Sequence, residues 1–213
     1  MEIQKMPVAP IGANCYIVSK AGLAFIIDPG GNAEKIIKAA KNFDVRYILL
    51  THTHFDHIGG LNDIKKTFPE AKTAVHKLEK EWLYSTELNF SEEFGCSFVY
   101  EKNVDIELED GMALDFAGTK INVLHTPGHT PGSTCFYIEE SDICENHILF
   151  SGDTLFRSSI GRTDFPGGSG RKIIESIKNK LLVLPEDTVV YPGHDENTSI
   201  AIEKKLNPFL NRI

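Results

Sequence analysis

Two periods alternate along the chain. Apolar and β-branched runs bounded by turn residues predict strands at 15–18, 23–28, 45–50 and 72–75. The same signal predicts strands at 104–108, 112–116, 120–124, 133–138, 148–151 and 188–191. A 3.6-residue repeat predicts a helix over 33–42, where Ile36, Ile37, Ala40 and, just beyond, Phe43 share one face and Asn32 stands at the cap. Further helices are expected at 60–68, 78–85, 170–182 and 199–206, the last closed by Asn207 and Pro208. The stretch 86–103 breaks both periods and carries Asn89, Ser91, Glu92, Glu93 and Gly95, so it reads as a long loop, the kind of segment that often serves as a lid. Antiparallel meanders at the start and in the middle, with helix-linked strands between them, predict a mixed α/β fold of helix-covered mixed sheets, one domain over 1–213.

Composition narrows the function classes. The 213 residues are 41% hydrophobic and 24% charged, which is the make-up of a globular domain rather than a disordered or fibrous chain. A net charge of -8 without a basic stripe argues against nucleic acid as a partner. The opening residues lack the apolar run of a secretory signal, and no apolar stretch approaches the roughly 20 residues that cross a bilayer, so a cytoplasmic protein without a membrane partner is expected. Cys15, Cys96, Cys135 and Cys144 form no C-x-x-C pair, which points to reduced thiols rather than a disulfide framework or a zinc ribbon. Five of the eight His lie in two short clusters, and composition alone gives no reason for that.

The first cluster follows an apolar strand as Thr51-His52-Thr53-His54-Phe55-Asp56-His57, four ligand-type side chains within six residues. In extended backbone His52 and His54 point the same way, and Asp56 and His57 follow as the chain turns toward a helix. Imidazole and carboxylate together suit Zn, Fe or Mn better than Ca or Mg. Three more strand ends carry chemistry of the same kind: His125-Thr126-Pro127-Gly128-His129, Ser151-Gly152-Asp153-Thr154 and Tyr191-Pro192-Gly193-His194. Strand ends are where α/β proteins gather ligands, so a shared site is expected.

His52-x-His54-x-Asp56-His57 followed by His129, Asp153 and His194 resembles the metallo-β-lactamase superfamily over essentially the whole chain. The resemblance implies an αββα sandwich with two divalent metal ions, Zn before Fe or Mn. It implies that His52, His54 and His129 hold one ion, that Asp56, His57 and His194 hold the other, and that Asp153 bridges them. Within the superfamily the wording around Asn14-Cys15-Tyr16, His125 to Thr130, Ser151 to Phe156 and Tyr191 to His194 looks like the glyoxalase II group of thioester hydrolases. Two divalent ions carry four positive charges against two from Asp56 and Asp153, which favours a metal-bridging hydroxide as nucleophile. One zinc ion already lowers the pKa of bound water from about 15.7 to about 7. Asp56 would also orient that nucleophile, and the expected substrate is a small thioester of the hydroxyacyl-glutathione type.

Two departures bear on the substrate. Only about twenty residues follow His194, so a counterpart of the carboxy-terminal helical domain of typical glyoxalase II enzymes is not expected. The segment Gly161-Arg162-Thr163-Asp164 also resembles persulfide dioxygenases, which use one iron on part of this ligand set, and a non-catalytic metal-binding protein is a third reading. Arg162 is either an anchor for an anionic substrate tail or a partner for Asp164. His125 is expected to support the turn rather than to ligate, His76 to sit near a rim, and His147 to lie on the surface. Gly30-Gly31 and Gly167-Gly168 lack the spacing of phosphate loops and read as turns. Cys15 and Cys135 are expected in the core, and the basic residues of helix 170–182 on a solvated face.

Overall fold

The computed structural model describes residues 1–139 and 147–210, so Cys144 lies outside the described residues. The chain forms two compact units, Met1–Leu108 and Glu109–Ile213. Each carries a six-stranded mixed sheet, and a mixed α/β fold with two such sheets is what the strand and helix patterns lead to.

In the first unit β1 (Glu2–Val8), β2 (Ala13–Lys20) and β3 (Leu23–Ile27) form an antiparallel meander. Parallel strands β4 (Asp44–Leu49), β5 (Lys72–His76) and β6 (Ile106–Leu108) extend it in sequence order. Parallel neighbours need crossovers, and two of these carry α1 (Ala33–Ala40) and α3 (Leu61–Thr67). Alternate strand residues Cys15, Ile17, Ile26, Ile48 and Val75 join Ile36, Leu61 and Ile64 of the helices in one buried cluster. The residues between them, Tyr16, Val18, Phe25, Ile27 and Leu49, are buried as well, which explains why β2 and β3 read as continuous apolar runs.

The second unit orders its sheet β14-β13-β10-β9-β8-β7. Its strands are β7 (Ala113–Phe116), β8 (Thr119–His125), β9 (Thr134–Ile138), β10 (Ile148–Gly152), β13 (Val189–Pro192) and β14 (Thr198–Ser199). Among the described residues of this sheet, β10 and β13 alone pair in parallel. A small hairpin of β11 (Leu155–Phe156) and β12 (Ser159–Ile160) stands apart. Helices α4 (Gly170–Ser176) and α5 (Ile200–Leu206) bury Ile173 and Ile200 against Cys135, Leu149 and Val190. Ser169 and Ser199 cap them by accepting from Lys172 N and Ile202 N, each at 3.3 Å.

Several expectations are corrected. Strand β1 has no counterpart in the sequence reading, and the 104–108 strand contracts to Ile106–Leu108. Helix 78–85 is a short 3₁₀ segment, Lys80–Tyr84, and the helix from 170 becomes a π-type turn at Ile177–Leu181. Asn32 occupies the cap position of α1 but does not cap it. Its φ is 50°, and its Oδ1 accepts from Ala9 N at 2.7 Å instead.

Candidate metal centre

In the first unit all four ligand-type residues follow β4. His54 is the residue before α2 (Phe55–Ile58), a single turn that carries Asp56 and His57. The four side chains are buried, and the His52 ring lies 4.7 Å from that of His54 and 4.2 Å from that of His57. Oδ2 of Asp56 is 3.4 Å from Nε2 of His57.

What aims the His52 and His57 rings is Asp28, just after β3, a residue the sequence reading did not single out. Its Oδ1 accepts from Thr51 N at 2.8 Å, and its Oδ2 accepts from Thr51 Oγ1 at 2.6 Å and from His57 Nδ1 at 3.0 Å. A carboxylate only accepts, so Nδ1 of His57 carries the proton and Nε2 keeps its lone pair. The Thr51 hydroxyl spends its proton on Asp28, so its oxygen accepts from His52 Nδ1 at 3.1 Å and fixes the same tautomer there. Asp28 itself was visible in principle, since it is a carboxylate that ends an apolar strand, as Asp153 is.

Glycine makes the turn possible. A Cβ on Gly30 would stand 1.6 Å from the Asp56 carbonyl oxygen, so the loop after β3 can pass the ligand helix only without a side chain at that position. Gly30 thus has a packing duty toward Asp56, and Gly31 a matching one toward the Ala9 carbonyl oxygen, 2.4 Å from where its Cβ would stand.

In the second unit the three remaining residues come together. Oδ2 of Asp153 lies 3.6 Å from Nε2 of His129 and 3.7 Å from Nε2 of His194. His129 Nδ1 donates to the backbone carbonyl of Arg162 at 2.8 Å, which again leaves Nε2 as the ligating atom. Gly161 sits beneath them: a Cβ there would be 1.8 Å from the Asp153 carbonyl oxygen and 3.3 Å from His129 Cβ. The Phe156 ring meets His194 edge-on at 6.2 Å.

These donor sets fit metal ions. Two donors about 2.1 Å from one tetrahedral ion stand about 3.4 Å apart, too far for a good hydrogen bond and close to the three carboxylate-to-imidazole separations above. Three imidazoles share one tautomer, each fixed by a different acceptor, which is how metal-ligating His are usually supported.

The profile of the metallo-beta-lactamase superfamily matches residues 8–194. The chain belongs to that superfamily. It is 39% identical over 213 residues to the probable metallo-hydrolase YqgX of Bacillus subtilis (strain 168), with 99% of this chain and 98% of the relative covered. It is 37% identical over 220 residues to the hydroxyacylglutathione hydrolase GloC of Haemophilus influenzae, with 99% of each covered. The crystal structure of the BLEG-1 B3 metallo-beta-lactamase is similar at a TM-score of 0.91 and 39% identity, over 99% of this chain and 100% of that one. That of TTHA1623 in a di-iron-bound form is similar at 0.84 and 33%, over 97% and 100%.

The remaining residues of this superfamily member divide between support and surface. His125 Nε2 bonds the Pro131 carbonyl at 2.9 Å, a turn-holding role. His76 is buried, and its Nδ1 accepts from Leu78 N at 3.3 Å. His147 is half-buried rather than superficial, stacked on Tyr137 and bonded to its hydroxyl at 2.8 Å. Arg162 pairs bidentately with Asp164, at 2.8 and 2.7 Å, and lies 3.7 Å above the Phe165 ring. Cys15 and Cys135 are buried free thiols. Among the described residues no helix is long and apolar enough to cross a membrane.

Proposed function

We propose that this protein is a binuclear metallohydrolase that cleaves a small thioester of the hydroxyacyl-glutathione type, giving a carboxylate and a free thiol. The observation that carries the reading is the common tautomer of His52, His57 and His129, fixed by Thr51, Asp28 and the Arg162 carbonyl so that each offers Nε2. His52, His54 and His129 would hold one ion and Asp56, His57 and His194 the other, with Asp153 shared. When bound, such ions acidify water and polarise a carbonyl. Asp56 orients the attacking water through its carboxylate, and Asp28 keeps the His57 ring from turning. The 37% identity to GloC over nearly the whole of both chains supports the thioester as substrate class. The ion is expected to be Zn, while the di-iron form of TTHA1623 supports Fe as an alternative occupant.

The likeness to BLEG-1 favours a second reading, hydrolysis of a β-lactam amide by the same residues. The Gly161 to Asp164 segment favours a third, a one-iron persulfide dioxygenase. One comparison separates them: metal content per chain, with turnover of S-lactoylglutathione, a chromogenic cephalosporin and glutathione persulfide under oxygen. Two ions per chain with thioester cleavage supports the proposal. One iron with oxygen uptake and no thioester cleavage overturns it, as does β-lactam turnover alone.

A further inference from the structure

The segment from Glu79 to Phe98 engages the ligand turn of the first unit residue by residue. Glu79 is buried, and its Oε2 accepts from Thr53 N at 3.1 Å and from Thr53 Oγ1 at 2.6 Å. Next along the turn, His54 is flanked by two aromatic rings: Phe90 edge-on at 5.1 Å and Trp82 tilted at 6.4 Å. Phe55 N–H, at the first position of α2, donates to the Asn89 carbonyl at 2.8 Å, and the Phe55 ring packs on Phe94 and Phe98 at 5.6 and 6.0 Å. Three consecutive residues, Thr53, His54 and Phe55, are thus held from one segment.

Phe90 holds its place at a conformational cost. Its φ is 62°, in the left-handed region that a bulky side chain rarely adopts. Strain of this kind persists only where the surroundings over-determine it. Here they do: Asn89 Oδ1 accepts from Ser91 N at 2.9 Å, Asn89 Nδ2 donates to the Phe98 carbonyl at 3.0 Å, and Ser91 Oγ accepts from Phe98 N at 3.1 Å. Asn89 and Ser91 are both fully buried. A glycine at 90 would satisfy the same backbone without strain, so the backbone does not call for a phenyl ring there, and that ring meets His54 edge-on.

We propose that Phe90 is a positioning residue for His54: its ring, held in place by the Asn89 and Ser91 bonds, sets the orientation in which the His54 imidazole meets a metal ion. The inference rests on the reading of His54 as a metal ligand. The segment 86–98 is then a fixed brace behind the ligand turn rather than a lid over it.

The test uses the full chain stripped of metal and titrated with Co²⁺, whose visible ligand-field bands report ligand geometry. Phe90→Gly and Phe90→Asn both tolerate the left-handed backbone and remove the ring, while Phe90→Tyr keeps it. The metal-free Gly and Asn variants are expected to melt at or above the wild-type temperature, yet to show altered Co²⁺ bands and about 10-fold weaker retention of the ion against a chelator. Phe90→Tyr restores both readouts. Wild-type bands and affinity in the Gly and Asn variants overturn the proposal, and so does failure of both to fold, which would make Phe90 a core residue. A wild-type chain that shows no Co²⁺ bands at all overturns the proposed metal centre as well.

Discussion

His57 Nδ1 lies 3.0 Å from Asp28 Oδ2, with both side chains almost completely buried. The same carboxylate holds the Thr51 backbone and hydroxyl, so one residue just after β3 sets the direction of two imidazoles. Asp28→Ala removes the acceptor that fixes the His57 tautomer and leaves Thr51 N and Oγ1 in a buried site with nothing in its place. Metal affinity is predicted to fall about 10- to 100-fold, the usual cost of losing an outer partner of a ligating His. Chelator competition on the full chain measures this, and an unchanged affinity would show that Thr51 and His57 are aligned by something other than Asp28.

A second prediction concerns Gly161. Alanine there places a methyl group 1.8 Å from the Asp153 carbonyl oxygen, backbone that cannot swing aside as a side-chain tip can. The Asp153 turn has to move, at a cost of about 1 to 3 kcal/mol by analogy with overpacked cores. Gly161→Ala should therefore lower the melting temperature and reduce bound metal, whereas Gly118→Ala, which strains a backbone at φ 76° but has nothing within 4 Å, should leave bound metal unchanged. Quantifying metal per chain in both variants decides it, and equal loss in both would remove the close-contact explanation.

Much of this arrangement was legible in the sequence because strand periodicity and ligand spacing act locally. The run from Tyr47 to Leu50 announces a buried strand, and His52 to His57 follow it directly. What escaped is non-local. Strand β1 breaks the alternation of a half-buried strand, with Gln4 and Lys5 adjacent and Pro7 between Met6 and Val8, and it becomes a strand through antiparallel pairing with β2, from Glu2 opposite Ser19 to Val8 opposite Ala13. Glu79 opens the charged run Glu79 to Glu81 and looks like solvated surface, yet its carboxylate turns inward to Thr53, 26 residues back, while Leu78 turns outward. That inversion accompanies the replacement of an expected helix by the 3₁₀ segment Lys80–Tyr84. The hairpin at Leu155 to Ile160 was hidden because its strands are two residues long and its turn depends on Ser158 at a φ of 57°.

The cysteines give a prediction independent of any metal. Burial pushes the Cys135 thiol up to about 11, against a smaller opposing effect of its hydrogen bonds to Thr126 and Thr154. Burial, with the nearby Asp28 carboxylate, also raises Cys15 well above the usual thiol range. At pH 8 a thiol of pKa about 11 is ionised in only about one molecule in a thousand, and the thiolate is the reactive form. Brief iodoacetamide treatment of the native chain at pH 8 should therefore modify Cys96, which is partly exposed, and spare Cys15 and Cys135. Peptide mass spectrometry reads the outcome; modification of Cys135 at a rate comparable with Cys96 would contradict its burial.

Arg162 and Asp164 supply a pH-dependent test of the two roles open to the arginine. Hydrogen bonds from the Arg162 guanidinium, with a smaller backbone contribution, hold the Asp164 carboxyl down at about 2. A carboxyl whose folded pKa lies below its unfolded value of about 3.9 contributes stability that is complete above that value and is lost as pH falls through about 2. Both side chains are largely exposed, so solvent screens the pair and its effect on overall stability is small; the direct readout is the Asp164 titration itself. In Arg162→Gln the Asp164 midpoint, followed by carboxyl NMR, should rise toward about 3.9. If Arg162 serves only this pairing, thioester KM stays at the wild-type value in that variant. A KM that rises while kcat holds would assign the guanidinium to an anionic substrate tail, and an Asp164 midpoint that does not move would dissolve the pair.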